Sequence, residues 1–164
     1  METNVKDVTL LAEVQIQARV LVPVLAQLRK ELGNEKAMSL IKAALRELYA
    51  EEYRRQAEEI SGTPLEKVNA MNAEMARRRI GNLLEMEWIE KSVRSLKLNV
   101  TKCGYAEFFK SINECELGAV MSCERDMHVV NAAGKGMRLL RKGTIMEGAD
   151  CCDFHYIVDD TSGP

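Results

Sequence analysis

The last third of the chain sets thiols and carboxylates at spacings that chemistry can use. Cys103 opens the run CGYAEFF, Cys123 and Asp126 stand in LGAVMSCERD, and Cys152 and Asp153 close RKGTIMEGADCCDF. Thiols and carboxylates supply nucleophiles, general bases or metal ligands. On a helix, Cys123 and Asp126 are three apart and share a face, which suits a cooperating pair. Arg141 offers a guanidinium that can grip a carboxylate at two points. The first hundred residues hold nothing comparable.

Each group also has a plainer reading. A free cysteine in a core behaves as a small hydrophobe, and Cys103, at the end of a strand, can simply fill space. Asp126 follows Glu124 and Arg125, as on a solvated helix face. Asp153 can cap a turn after Asp150. Arg141 lies in a basic run with Arg138 and Lys142, as on an exposed strand edge. His128 and His155 are the only histidines. His128 is off the Cys123 face of a helix, and His155 points away from Cys152 in a strand. Arg77, Arg78 and Arg79 fan over roughly 200° of a helix and do not converge. Cys103, Cys123 and Cys152 with Asp126 make a conceivable zinc set. The chain has no C-x-x-C or H-x-x-x-H pair, so no cofactor is the first expectation and zinc the alternative.

Helices come first among the elements that must position these groups. Leu10, Val14, Ala18, Leu21, Leu25, Leu28 and Leu32 recur every three or four residues, one stripe of an amphipathic helix. Pro23 inside it predicts a kink or a break into two helices. Gly33 ends the helix and Asn34 can cap the next. That second helix carries Met38, Ile41, Leu45 and Leu48 on one side and fades through the charged stretch 51–59. Thr63-Pro64-Leu65-Glu66 is a capping box with proline at the first helical position, predicting a third helix to about Arg79. Gly81-Asn82 weakens it. Residues 84–88 alternate as in a strand but also fit a helix. Residues 96–101 alternate more cleanly and run as a strand into Cys103. A short helix over 105–112 and a helix over 117–130 follow. Strands over 137–146 and 152–158 are joined by a turn at 147–150. Helices followed by strands with inserted helices predict an α+β fold, with N-terminal helices packed on a small antiparallel sheet of three to four strands.

At 164 residues one domain is the default, over 1–160. Its helical front spans 1–80, the part carrying the Cys and Asp motifs 81–160, and a tail 161–164. A net charge of −2 gives no reason to expect nucleic acid. No run approaches the roughly 20 apolar residues that span a bilayer. The N-terminus lacks a basic region before an apolar one, so no signal peptide is expected. Five cysteines, an odd number without a signal peptide, fit free thiols in a cytoplasmic protein. The Leu- and Val-rich helical front is a candidate surface for a homodimer.

Together, C-x-Y-x-E-F-F, L-G-x-x-x-x-C-x-x-D and R-x-x-T-x-x-x-G-x-x-x-C-D-F resemble the L-2-amino-thiazoline-4-carboxylic acid hydrolase family over about 103–156. The matching residues are Cys103, Tyr105, Glu107, Cys123, Asp126, Arg141, Thr144, Gly148, Cys152, Asp153 and Phe154. Cys115 and Cys151 fall outside the pattern. The resemblance implies a small-molecule hydrolase that opens a cyclic amidine-like ring with water to give a carbamoyl-cysteine. In that reading Cys123, Asp126 and Cys152 are catalytic, while Arg141, Cys103, Tyr105, Glu107, Thr144 and Asp153 bind substrate. A thiolate can attack the ring carbon between N and S. An aspartate can hold the exocyclic amine or move protons. The competing expectation is a non-catalytic domain that senses a small ligand, with or without structural zinc.

Overall fold

A computed structural model describes residues 8–77 and 83–159. Helix α1 spans Leu10–Leu32, opened by Thr9, whose hydroxyl accepts from the Ala12 amide at 3.1 Å. Its inner stripe of Leu10, Val14, Ala18 and Leu25 is buried. The break expected at Pro23 does not occur. Pro23 and Arg19 both face solvent, so the carbonyl that loses its amide partner meets water. The most apolar 18-residue window of α1 has mean hydropathy 1.2. By length and composition alone that helix could cross a membrane, which the sequence count missed. Ile16, Val20 and Val24 remain exposed along its outer side.

Gly33 (φ 78°) ends α1, and α2 runs over Asn34–Glu58. Asn34 does not cap α2. Its amide group instead joins Arg29 at 2.7 Å to Glu116 at 3.0 Å. Helix α2 does not fade in the charged stretch, because Tyr53 and Ala57 face the core while Glu51 pairs with Arg54 and Arg55 outside. The buried line passes through Tyr49, leaving Leu48 exposed. Helix α3 spans Pro64–Arg77 behind the expected capping box: the Thr63 amide donates to Glu66 at 2.7 Å and the Glu66 amide to Thr63 at 3.3 Å. The helix end expected near Arg79, and Gly81-Asn82, lie outside the described residues.

Four antiparallel strands form the sheet: β1 (Leu84–Lys91), β2 (Ser95–Cys103), β3 (Met137–Leu140) and β4 (Cys152–Val158), in the order β1-β2-β4-β3. Residues 84–88 are thus a strand. β3 is shorter than the expected 137–146. The Asp153 carboxylate accepts from the amides of Lys142 at 2.9 Å and Gly143 at 3.1 Å, so the chain leaves the ladder there. Thr144 then caps a 3₁₀ turn over Ile145–Glu147. Helix α4 covers Gly104–Ser111. The helix expected over 117–130 is three pieces: α5 (Cys115–Gly118), a π turn (Ala119–Cys123) and α6 (Arg125–Ala133).

The architecture is α+β. One apolar cluster packs α2, α3 and α6 on the sheet through Tyr53, Val68, Met71, Val129, Leu98 and Tyr156. A second joins α1 and α2 to α4, α5 and the π turn through Val14, Leu25, Phe109, Leu117 and Met121. Cys103 packs against both, at the seam where the cavity described next opens.

Candidate active site

The π turn aims the central groups. The Glu124 amide bonds five residues back to Ala119 at 3.0 Å, and the Met127 amide bonds to Glu124 at 3.1 Å. An α-helical Met127 would have used the Cys123 carbonyl. That oxygen instead accepts from Arg141 Nη2 at 3.1 Å. Widened turns of this kind recur at functional sites because they reorient one residue within a helix. Two contacts anchor the turn. Glu124 is held by Lys42 and Arg46 of α2, each at 2.8 Å. Gly118 permits close approach of α4, since a Cβ there would stand 2.5 Å from the Phe109 ring.

Arg141 Nη1 also donates to Asp126 Oδ2 at 2.7 Å, and its guanidinium lies 5.3 Å over the Phe154 ring. Both side chains of this ion pair are mostly shielded from water. Cys123 sits beside the pair. Burial, and then the Asp126 charge, push its thiol up to about 12, against the opposing pull of Arg141. Cys103 and Cys152 are raised too, burial being the main cause in each. The Cys152 sulfur accepts the Ile145 amide at 3.2 Å. All three sulfurs are close enough to influence one another, and at neutral pH all three are thiols rather than thiolates.

Cys103, Tyr105, Cys123, Asp126, Arg141 and Cys152 line one cavity of about 340 Å³. Residues from four distant segments therefore meet, as the motifs require. The other three expected site residues lie elsewhere. Glu107 is exposed on α4. Thr144 is buried, and its hydroxyl donates to Glu147 at 2.7 Å within the 3₁₀ turn. Asp153 lies on the opposite sheet face from Cys152 and holds the loop after β3. Neither histidine lines the cavity: His128 packs edge-on to Tyr49 at 6.1 Å, and His155 Nε2 lies 3.1 Å from Ser95 Oγ. Cys115 lines a second, open groove on the far side, in which Cys123 and Arg141 form the partition with the first cavity. Among the described residues no group of three or more His, Cys, Asp or Glu is placed to hold a metal ion, so the zinc set does not assemble there.

Sequence reasoning missed Arg125. Taken for part of a solvated face, it lines the cavity next to Asp126. Its guanidinium lies 5.0 Å over the Tyr49 ring and 5.9 Å over Tyr53, and Nε donates to the Tyr53 hydroxyl at 3.1 Å. Among the described residues it pairs with no carboxylate, and its two Nη atoms make no hydrogen bond. The available signal was the Tyr49/Tyr53 pair, four apart on α2 and able to form an aromatic platform for a cation.

No curated protein matches the sequence significantly. A family profile does match, and it spans residues 13–156, so the helical front belongs to the shared unit along with the cysteine motifs. The chain is a member of the L-2-amino-thiazoline-4-carboxylic acid hydrolase family.

Proposed function

We propose that the protein is a hydrolase that opens the ring of a 2-amino-thiazoline carboxylate, with Cys123 as nucleophile and Asp126 as proton carrier. One observation carries this reading: a thiol, an oriented carboxylate and a guanidinium that forms no ion pair among the described residues line a single cavity in a chain of this family. The substrate carboxylate sits on the Nη edge of Arg125, whose Nη atoms make no hydrogen bond among the described residues and which feels Glu52 only at longer range. Arg141 orients Asp126 and the π turn.

The Cys123 sulfur bonds to the ring carbon between N and S as its proton passes to Asp126. The bond from that carbon to the ring sulfur breaks, and the sulfur takes the proton from Asp126. Water then adds to the resulting isothiourea, and Cys123 leaves with its thiol restored. The product is an N-carbamoyl amino acid with a free thiol. A thiol near 12 is a weak acid, yet still far more acidic than water, so base-assisted attack without a standing thiolate is feasible.

The raised thiol also favours a second reading, in which Asp126 directs water onto the ring carbon and no adduct forms. Incubation of wild type and Cys123→Ser with 2-amino-thiazoline-4-carboxylate, followed by intact mass and turnover, separates the two. Covalent catalysis is expected to give an adduct on Cys123 and a loss of at least about 100-fold in turnover for the serine variant. Turnover near wild type in that variant removes Cys123 as nucleophile. No hydrolysis by the wild-type protein removes the hydrolase reading.

A further inference from the structure

The strand register sorts the cavity along its length. At one end β2 Cys103 faces Leu84 of β1, and Val100 lies between Cys152 of β4 and Met86 of β1. In the next inward-facing row Leu98 lies between Phe154 and Trp88, and in the row beyond Leu96 faces Tyr156. From the Val100 row to the Leu96 row is four residues of strand, about 13 Å. Thiols and the Asp126–Arg141 pair gather at the Cys103–Cys152 end, while the rows beyond are aliphatic and aromatic apart from Lys91 of β1, which faces Leu96 in the last row. Ala73 and Met75 of α3 line the cavity together with Asn69 and Asn72, and the Met75 sulfur lies 3.9 Å from the Tyr53 hydroxyl that Arg125 engages.

Two features show that it is built larger than a bare ring needs. A 2-amino-thiazoline carboxylate, with roughly nine non-hydrogen atoms of about half a water's ~30 Å³ each, fills on the order of 150 Å³. The cavity measures about 340 Å³. Met86 and Trp88 line it yet remain 42% and 49% exposed, although Lys91 Nζ stands over the Trp88 ring at 3.8 Å from its centroid. Apolar surface left facing a ligand cavity favours an apolar group within it.

We propose that the substrate is a carboxylate-bearing cyclic amidine extended by an aromatic or branched aliphatic group. The reactive ring lies among Cys123, Asp126 and Arg125, and the extension lies between α3 and β1–β2 against Trp88. This deepens the reading above and rests on it for the position of the ring. Trp88 is the sole tryptophan, so its emission reports the apolar half without any need for turnover.

The test uses the full chain and three compounds: 2-amino-thiazoline-4-carboxylate, the same acid with phenyl on ring carbon 5, and the same acid with phenyl on the exocyclic nitrogen. At least one phenyl compound is expected to bind about tenfold or more tightly than the parent and to shift Trp88 emission, where the parent does not. In Ala73→Phe, an exposed helix position that keeps Trp88 the only tryptophan, that advantage is expected to fall about tenfold. Equal binding of all three compounds, or tighter binding with Trp88 emission unmoved, overturns the proposal. Binding with the Trp88 shift but without hydrolysis supports the apolar half and refutes only the hydrolase reading. Hydrolysis of the parent with no gain from either phenyl does the reverse.

Discussion

Asp126→Asn is expected to move two properties of Cys123 in opposite directions. In the wild type the Cys123 thiol is raised from 9.0 to about 12, by burial first and by Asp126 second. At pH 8 that leaves a thiolate fraction of about 10⁻⁴, against about 10⁻¹ for a thiol at 9. Iodoacetamide, which reacts with thiolate, is therefore expected to modify Cys123 about 1,000-fold more slowly than it modifies free cysteine. Asparagine removes the repelling charge and leaves Arg141 facing the sulfur without its partner. A charge at this range is worth about 1–3 pKa units, and because burial holds the larger share of the Cys123 shift the low end applies, so alkylation at pH 8 is expected to rise about tenfold. Ring opening is expected to fall by about 100-fold or more, because the proton carrier is gone. Peptide mapping of alkylated protein over pH 7–10, beside steady-state turnover, reads both. A wild-type Cys123 that alkylates as fast as free cysteine refutes the burial argument. An asparagine variant that alkylates more slowly refutes the electrostatic one.

Gly118→Ala forces a Cβ to 2.5 Å from Phe109 and 2.8 Å from Met146. Overpacking of about 1–3 kcal/mol outweighs the helix-propensity gain of about 1 kcal/mol, so calorimetry is expected to show Tm several degrees lower, and a higher Tm contradicts the packing account. Three thiols raised in the folded state make the unfolded chain the better acid above pH 9, so stability is complete below pH 9 and falls as pH rises toward 12. Cys123 alone accounts for about 1.4 kcal/mol per pH unit in that window, and urea titrations of Cys123→Ser at pH 8 and 10.5 should show a shallower decline than wild type.

The elements whose signal is local were legible in advance. The Thr63/Glu66 capping box, the Gly33 stop and the alternation of residues 96–101 each depend on neighbours a few positions away. Helix α2 outran its expected fade because Tyr53 and Ala57 gain burial from α3, α6 and the sheet, a term invisible along one helix. The strand expected over 137–146 stopped early because Asp153, ten or more residues downstream, captures the two amides that would have continued it.

The same division holds at the site. Residue types and spacing alone nominated Cys103, Cys123, Asp126, Arg141 and Cys152, since a motif preserves which groups are present and in what order. Only the tertiary structure decided that these share one cavity, that a π turn sends the Cys123 carbonyl to Arg141, and that Thr144, Asp153 and Glu107 stand outside it. It alone revealed Arg125, whose surroundings come from two tyrosines more than seventy residues away. The physical reason is that ionisation and access depend on burial and on charges brought near through space. Neither quantity is a property of sequence distance.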